Sequence, residues 1–126
     1  MRPVVYDTGV LIAADRSERR TWVEHRVRLE AGVIPLVPAP VVAQASRSAK
    51  QTQMRRLLRG CEVVPFDEPA AHAAGSLLGK TGTKDVVDAS VAVLSIQNGA
   101  DVVSDDAADI QRLLSAARAK GTIVDV

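Results

Sequence analysis

A chain of 126 residues, 47% hydrophobic and 25% charged, carries enough apolar material for one domain with a real core, which excludes a disordered chain. No apolar run approaches the ~20 residues that cross a bilayer and the first residues hold no signal-type stretch, so a cytoplasmic protein with no membrane association is expected. The single cysteine, Cys61, excludes an intramolecular disulfide and a cysteine-rich zinc site, and at the start of a strand it is expected to pack as a small apolar residue.

The β-branched run Pro3–Tyr6 predicts a first strand, and Thr8–Ala14 a short apolar helix entered through Asp7. Glu18–Ala31 reads as a charged helix with Trp22, Val23 and Val27 facing inward, closed by Gly32. Val33–Val37 predicts a second strand, after which Pro35, Pro38 and Pro40 bracket a turn that opens a helix over Val41–Ser46. Met54, Leu57 and Leu58 mark the next helix, ended by Gly60. Cys61–Pro65 predicts a third strand and Glu68–Leu78 a helix stopping near Gly79. From Asp85 a helix runs to Gln97, and its stretch Ala89–Ile96 is small or apolar on every side, as expected of a buried element. Ala100–Ser104 predicts a fourth strand, Ala107–Lys120 a helix with Ile110, Leu113, Leu114 and Ala117 on one face, and Thr122–Val126 a last strand. Alternation of strand and helix implies right-handed crossovers. The fold class expected is α/β: a three-layer α/β/α sandwich with a mainly parallel five-stranded sheet, forming a single domain over residues 1–126.

The net charge of +1 hides an uneven distribution. Between Lys84 and Arg112 fall six aspartates, Asp85, Asp88, Asp101, Asp105, Asp106 and Asp109, with no base among them, and a seventh, Asp7, follows the first strand. Carboxylates this crowded repel one another, and a fold that gathers them usually neutralises them with a hard cation such as Mg²⁺ or Mn²⁺. Open α/β sheets bind ligands beyond the carboxyl ends of their strands. Asp7 leaves strand one, Asp105 and Asp106 leave strand four, and Asp85 and Asp88 share one face of the first turn of the buried helix, so all can reach one crevice. Asp7, Asp85 and Asp106 also stand where helices begin, and capping explains each of them taken alone. Asp88 lies inside its helix before an apolar stretch, where an unpaired carboxylate needs a metal or a base. Asp101 reads as a solvated loop residue and Asp109 as a helix-dipole contact. Between Glu30 and Glu62 there is no acid, while Arg47, Lys50, Arg55, Arg56 and Arg59 make a basic arm, either a solvated helix face or a surface for a polyanion.

The order D-T-x-V-L-I at Asp7–Ile12, D-x-x-D-A at Asp85–Ala89 and S-x-D at Ser104–Asp106 resembles the PIN-domain ribonucleases, most closely the VapC toxins of bacterial toxin–antitoxin pairs, over essentially the whole chain. The resemblance implies a PIN-like fold and a Mg²⁺- or Mn²⁺-dependent endoribonuclease in which Asp7, Asp88 and Asp106 hold the metal. Asp85 matches an extra acid of part of the family, a ligand, a general base or a helix cap. Gln44, within V-V-A-Q-A, stands where the family usually has a glutamate and removes one negative charge from the site. Ser104 replaces the threonine of the family's T-x-D motif; it and Thr8 would bond the carboxylates or the phosphate, or serve as ordinary helix-start hydroxyls. Arg47, Lys50, Arg55 and Arg56 would track the RNA backbone, and the partners implied are an RNA substrate, a VapB-like antitoxin and a second copy in a homodimer. With Tyr6, Trp22 and Phe66 the only aromatics, no base-stacking platform is evident.

Gly75–Thr81 imitates a P-loop but has three residues where four are needed between its glycines. His25 and His72 have no acid partner at useful spacing and read as partly exposed helix residues. A receiver-like phospho-acceptor domain is a weaker alternative, since only Asp7 follows strand one and Asp67 lies beyond Pro65 and Phe66. A PIN-like binding module without useful catalysis is the other, and Gln44 is its support.

Overall fold

The computed structural model describes residues 1–117 and 123–125. Strand β1 (Val4–Tyr6) is buried along its whole length because strands flank it on both sides. On one side lie β2 (Leu36–Pro38) and β3 (Glu62–Val64), on the other β4 (Asp101–Ser104) and β5 (Ile123–Asp125), giving the all-parallel order β3-β2-β1-β4-β5. The chain runs outward through β2 to β3 and then returns to β4 across β1, so the order reverses between β1 and β4. Pairing of Val4, Val5 and Tyr6 with Asp101, Val102 and Val103 brings Asp7 level with Ser104, and the Asp7 N–H donates to the Val103 carbonyl at 3.0 Å.

Among the described residues seven helices join these strands: α1 (Thr8–Asp15), α2 (Arg19–Glu30), α3 (Ala39–Ala45), α4 (Thr52–Arg59), α5 (Glu68–Thr81), α6 (Val86–Asn98) and α7 (Ala107–Ala116). Right-handed crossovers assign α1–α4 to one face and α5–α7 to the other. The packing follows this division, with α1 against α2, α3 and α4, and with α5, α6 and α7 against one another, while α3 also reaches α6. Helix α6 is buried without interruption from Asp88 to Ser95 and lies on β1, β2 and β4, as its uniformly small and apolar sequence requires.

Several expectations change. Helix α2 does not turn Val23 and Val27 inward; they are 50% and 48% exposed, while Thr21, His25 and Arg28 are buried. The cause is the Tyr6 hydroxyl, which is sealed under α2 and needs polar partners. Arg28 Nη1 donates to it at 3.2 Å, and it stands 2.8 Å from His25 Nδ1. His25 is therefore a core residue; burial lowers its pKa, with the nearby Arg28 charge acting the same way. His72 is exposed, 3.4 Å from Glu68. Strand β2 starts three residues later than expected, at Leu36, and α5 passes through Gly79 to end at Gly82, whose φ of 68° is the left-handed cap. Asp101 is within β4 and pairs with Arg2 at 3.2 Å, so it is not a solvated loop residue. Residues 118–120 of the predicted seventh helix, and residues 122 and 126 of the predicted last strand, lie outside the described residues. Among the described residues no helix is long and apolar enough to cross a membrane.

Candidate metal centre

The site is assembled at the carboxyl ends of β1 and β4, where the strand order reverses and two loop crevices meet. Asp7 is buried there as the N-cap of α1. Its Oδ1 accepts the Thr8 N–H at 2.8 Å and its Oδ2 accepts the Ser104 hydroxyl at 2.7 Å. The Ser104 oxygen in turn accepts the Asp106 N–H at 2.9 Å. One hydroxyl thus orients the first acid and ties down the Asp106 backbone, while the Asp106 side chain makes no cap bond at the start of α7. The spacing S-x-D has this local cause.

Asp85 caps α6, accepting the Asp88 N–H at 3.0 Å, so capping accounts for one of its oxygens. Asp88, one turn in, is only 7% exposed. Among the described residues no base or hydrogen-bond donor meets its carboxylate. Oxygens of Asp88, Asp106 and Asp109 all lie within 4.8 Å of one another. Asp109, expected only as a helix-dipole contact, is thus part of the tightest acidic group; three residues beyond Asp106 on α7 it returns to the same side, a helical spacing that could have flagged it.

Burial and mutual repulsion set the protonation of the group. Desolvation, then the charges of Asp85, Asp7, Asp106 and Asp109, push the Asp88 pKa up to about 7. Asp7 is also raised, by burial first, against the lowering effect of its Ser104 and Thr8 hydrogen bonds. Asp106 is raised by desolvation and by Asp109 beside it. An octahedral ion with ligands at about 2.1 Å needs oxygens roughly 3 to 4.2 Å apart, a spacing this acid trio can supply, and hard cations favour such donors. The residues present fit a divalent ion.

Other expected residues are placed as follows. Gln44 Oε1 accepts the Thr8 hydroxyl at 2.5 Å, which brings Gln44 beside Asp7. Asp105 closes over the start of α1: a Cβ at Gly9 would meet its carboxyl at 2.6 Å, so the open position of D-T-x-V-L-I is where a side chain would collide. Arg56 stacks on Trp22 at 4.9 Å and, with Arg59 and Arg26, lines a groove of about 710 Å³ between α2 and α4. Arg47 turns back on the Ser46 carbonyl, while Lys50 and Arg55 are exposed. The bases that line a cavity with Asp85, Asp88 and Asp109 are Lys84 and Arg112. Cys61 donates to the Leu57 carbonyl, and burial pushes its thiol up to about 12, an inert state. Asp67 caps α5 through the Ala70 N–H, a structural use for the residue.

Solved structures of other proteins share this fold. Similar structures include VapBC2 from Rickettsia felis bound to a DNA fragment from their promoter, at a TM-score of 0.72 and 15% identity, covering 98% of each chain. DNA-bound VapBC from Salmonella typhimurium gives 0.69 at 18% identity, covering 99% of this chain and 98% of that one. FitAcB from Neisseria gonorrhoeae gives 0.62 at 16% identity, covering 96% of each. At such identities the likeness is one of fold. No curated protein sequence matches the chain. The model of the PIN domain, however, matches residues 4–113, a span that takes in Asp7, Gln44, Asp85, Asp88, Ser104, Asp106 and Asp109, and the chain belongs to the PIN-domain family.

Proposed function

We propose that the chain, acting as a single domain, is a metal-dependent endoribonuclease and the toxin of a VapBC-type pair. The observation that carries this reading is the group of Asp88, Asp106 and Asp109 oxygens within 4.8 Å of one another at the sheet's switch point. Asp7, Asp88 and Asp106, joined by Asp109, would hold Mg²⁺ or Mn²⁺. Such an ion, when bound, supplies a water of lowered pKa and a counter-charge for the scissile phosphate. The protein's own part is orientation. Ser104 and the Thr8 N–H fix both oxygens of Asp7. Asp85 spends one oxygen on the Asp88 N–H and keeps the other for a water, as orienting group or general base. Gln44, tied to Thr8, contributes an amide where a further charge would stand.

RNA is the substrate of this reading, with phosphate contacts from Arg47, Lys50, Arg55 and Arg56, and the cytoplasm its compartment. The toxin–antitoxin structures of the same fold support a VapB-like antitoxin as partner, and a homodimer belongs to the same reading. The α2–α4 groove, with Trp22, Val23 and Leu29 beside Arg26, Arg56 and Arg59, suits an amphipathic acidic segment of that partner. A binding module without catalysis is favoured by one observation, the neutral Gln44 engaged with Thr8. Cleavage of end-labelled tRNA and ribosomal RNA fragments separates the two. Discrete cuts that need Mn²⁺ or Mg²⁺ and vanish with Asp88→Asn or a chelator are expected; metal-bound, folded protein that cuts none of these RNAs would leave the binding module.

A further inference from the structure

A small cavity of about 150 Å³ opens beside the carboxylates, bounded by Thr83, Lys84, Asp85, Asp88, Asp109 and Arg112. Lys84 directly precedes the Asp85 cap, and Arg112 sits one turn beyond Asp109 on α7, with Nη1 3.8 Å from the Asp109 carboxylate. The two bases that bracket the acidic stretch in sequence are therefore brought onto one cavity wall in space. Stability does not account for Arg112. Its side chain is 59% exposed, that of Asp109 is 51% exposed, and a surface pair at this distance contributes little.

Charge balance gives the two bases a use. Asp7, Asp85, Asp88, Asp105, Asp106 and Asp109 carry six negative charges when ionised. Two divalent ions would leave two of those charges uncancelled, still repelling a polyanion; Lys84 and Arg112 supply two positive charges, on the wall of the cavity that shares Asp88 and Asp109 with the acid cluster. A guanidinium also presents a fork of donors matched to phosphate oxygens.

We infer that Arg112, assisted by Lys84, holds the RNA phosphate next to the scissile one, making this cavity a phosphate subsite of the metal centre. The inference rests on the metal-centre reading above. It moves the closest backbone contact away from the basic arm of residues 47–59 and onto the start of α6 and the second turn of α7. A contact of this kind fixes register on the strand and reads no base.

The test measures binding of a short, mixed-sequence, single-stranded RNA in Ca²⁺ as a function of salt, for the unaltered chain and for Arg112→Gln, Arg112→Lys and Lys84→Gln, with Mn²⁺ affinity measured separately without RNA. Arg112→Gln is expected to weaken RNA binding about ten-fold at low salt. Its log–log salt slope should become shallower by about 0.7, the share of one phosphate on a single strand. Arg112→Lys should keep the slope and recover only part of the affinity, because a point charge replaces a fork. Mn²⁺ affinity should stay equal or tighten, since a nearby positive charge has been removed. Unchanged RNA affinity and slope in a variant that still binds Mn²⁺ would overturn the subsite alone, and so would a loss of Mn²⁺ affinity, which would make Arg112 a support for Asp109. Failure of the unaltered chain to bind Mn²⁺ would overturn the metal centre and the subsite with it.

Discussion

Tyr6 and Asp7 are neighbours in the chain, and because both backbones are extended their side chains leave on opposite faces and enter two buried polar clusters of opposite character. Tyr6 enters a closed set: its hydroxyl takes a donor from Arg28 and meets His25, Arg28 lies over its ring at 5.5 Å and reaches toward Glu24 at 3.8 Å, and burial pushes the phenol up to about 12. Asp7 enters an open one, in which Ser104 and Thr8 serve a single carboxylate and Asp88, Asp106 and Asp109 face one another with only the exposed Arg112 beside Asp109. The first cluster is complete with protein atoms alone and holds α2 on the sheet. The second gathers more carboxylates than the neighbouring Arg112 and Lys84 offset, and the proposed metal centre rests on that asymmetry.

Substitutions should separate the two clusters cleanly. The largest effect expected is at Asp88: Asp88→Asn should cut RNA cleavage more than about a hundred-fold, since the loss of a ligand removes several kcal/mol of charge stabilisation. The same change should raise the melting temperature of the metal-free protein by relieving repulsion. In the closed cluster, Tyr6→Phe should cost about 1 to 3 kcal/mol of stability by leaving Arg28 and His25 without their shared oxygen, while Mn²⁺ affinity stays unchanged; chemical denaturation and metal titration on one sample would check both. Ser104→Ala should weaken Mn²⁺ binding about ten-fold by releasing Asp7, and should cost about 1 to 3 kcal/mol of stability by leaving the Asp7 carboxylate and the Asp106 N–H without their shared hydroxyl.

The pH response should also differ in sign from an ordinary surface acid. Burial and the surrounding carboxylates push the Asp88 pKa up to about 7 in the fold, well above the ordinary aspartate range of the unfolded chain. The folded, metal-free protein therefore binds a proton there that the unfolded chain does not, and stability is present at low pH and lost as pH rises through about 7. Divalent ions need the deprotonated form, so Mn²⁺ should bind more tightly across the same rise and remove the loss. Melting curves between about pH 5 and 8 with and without Mn²⁺ measure both. The smallest effect is expected at Gln44: Gln44→Glu keeps an oxygen for the Thr8 hydroxyl and adds one charge near Asp7, which should tighten metal binding a few-fold.

Parts of this comparison were visible before any coordinates. Alternating strand and helix signals led to a parallel α/β fold, and strand ends pointed Asp7 and Asp106 at one crevice, because local pattern and the switch-point rule both act through the backbone. What escaped was decided by contacts distant in sequence. Val23 and Val27 looked like the inner face of α2 on hydrophobicity, yet the need to satisfy the buried Tyr6 hydroxyl turned His25 and Arg28 inward instead. Asp109 looked like a helix-dipole residue because its tie to Asp88 runs between two helices that only the fold brings side by side. Gly9 gave no sign of its surroundings, since the Asp105 carboxyl that a side chain there would have to displace arrives from the far end of β4.

Calorimetric titration of Mn²⁺ into the unaltered chain and into Asp109→Asn decides whether the open cluster is a metal centre that includes Asp109. Saturable binding by the unaltered chain is expected, weakened at least about ten-fold by the substitution. Equal affinity in the two proteins would return Asp109 to a helix-dipole role, and no saturable binding in either would contradict the metal centre itself.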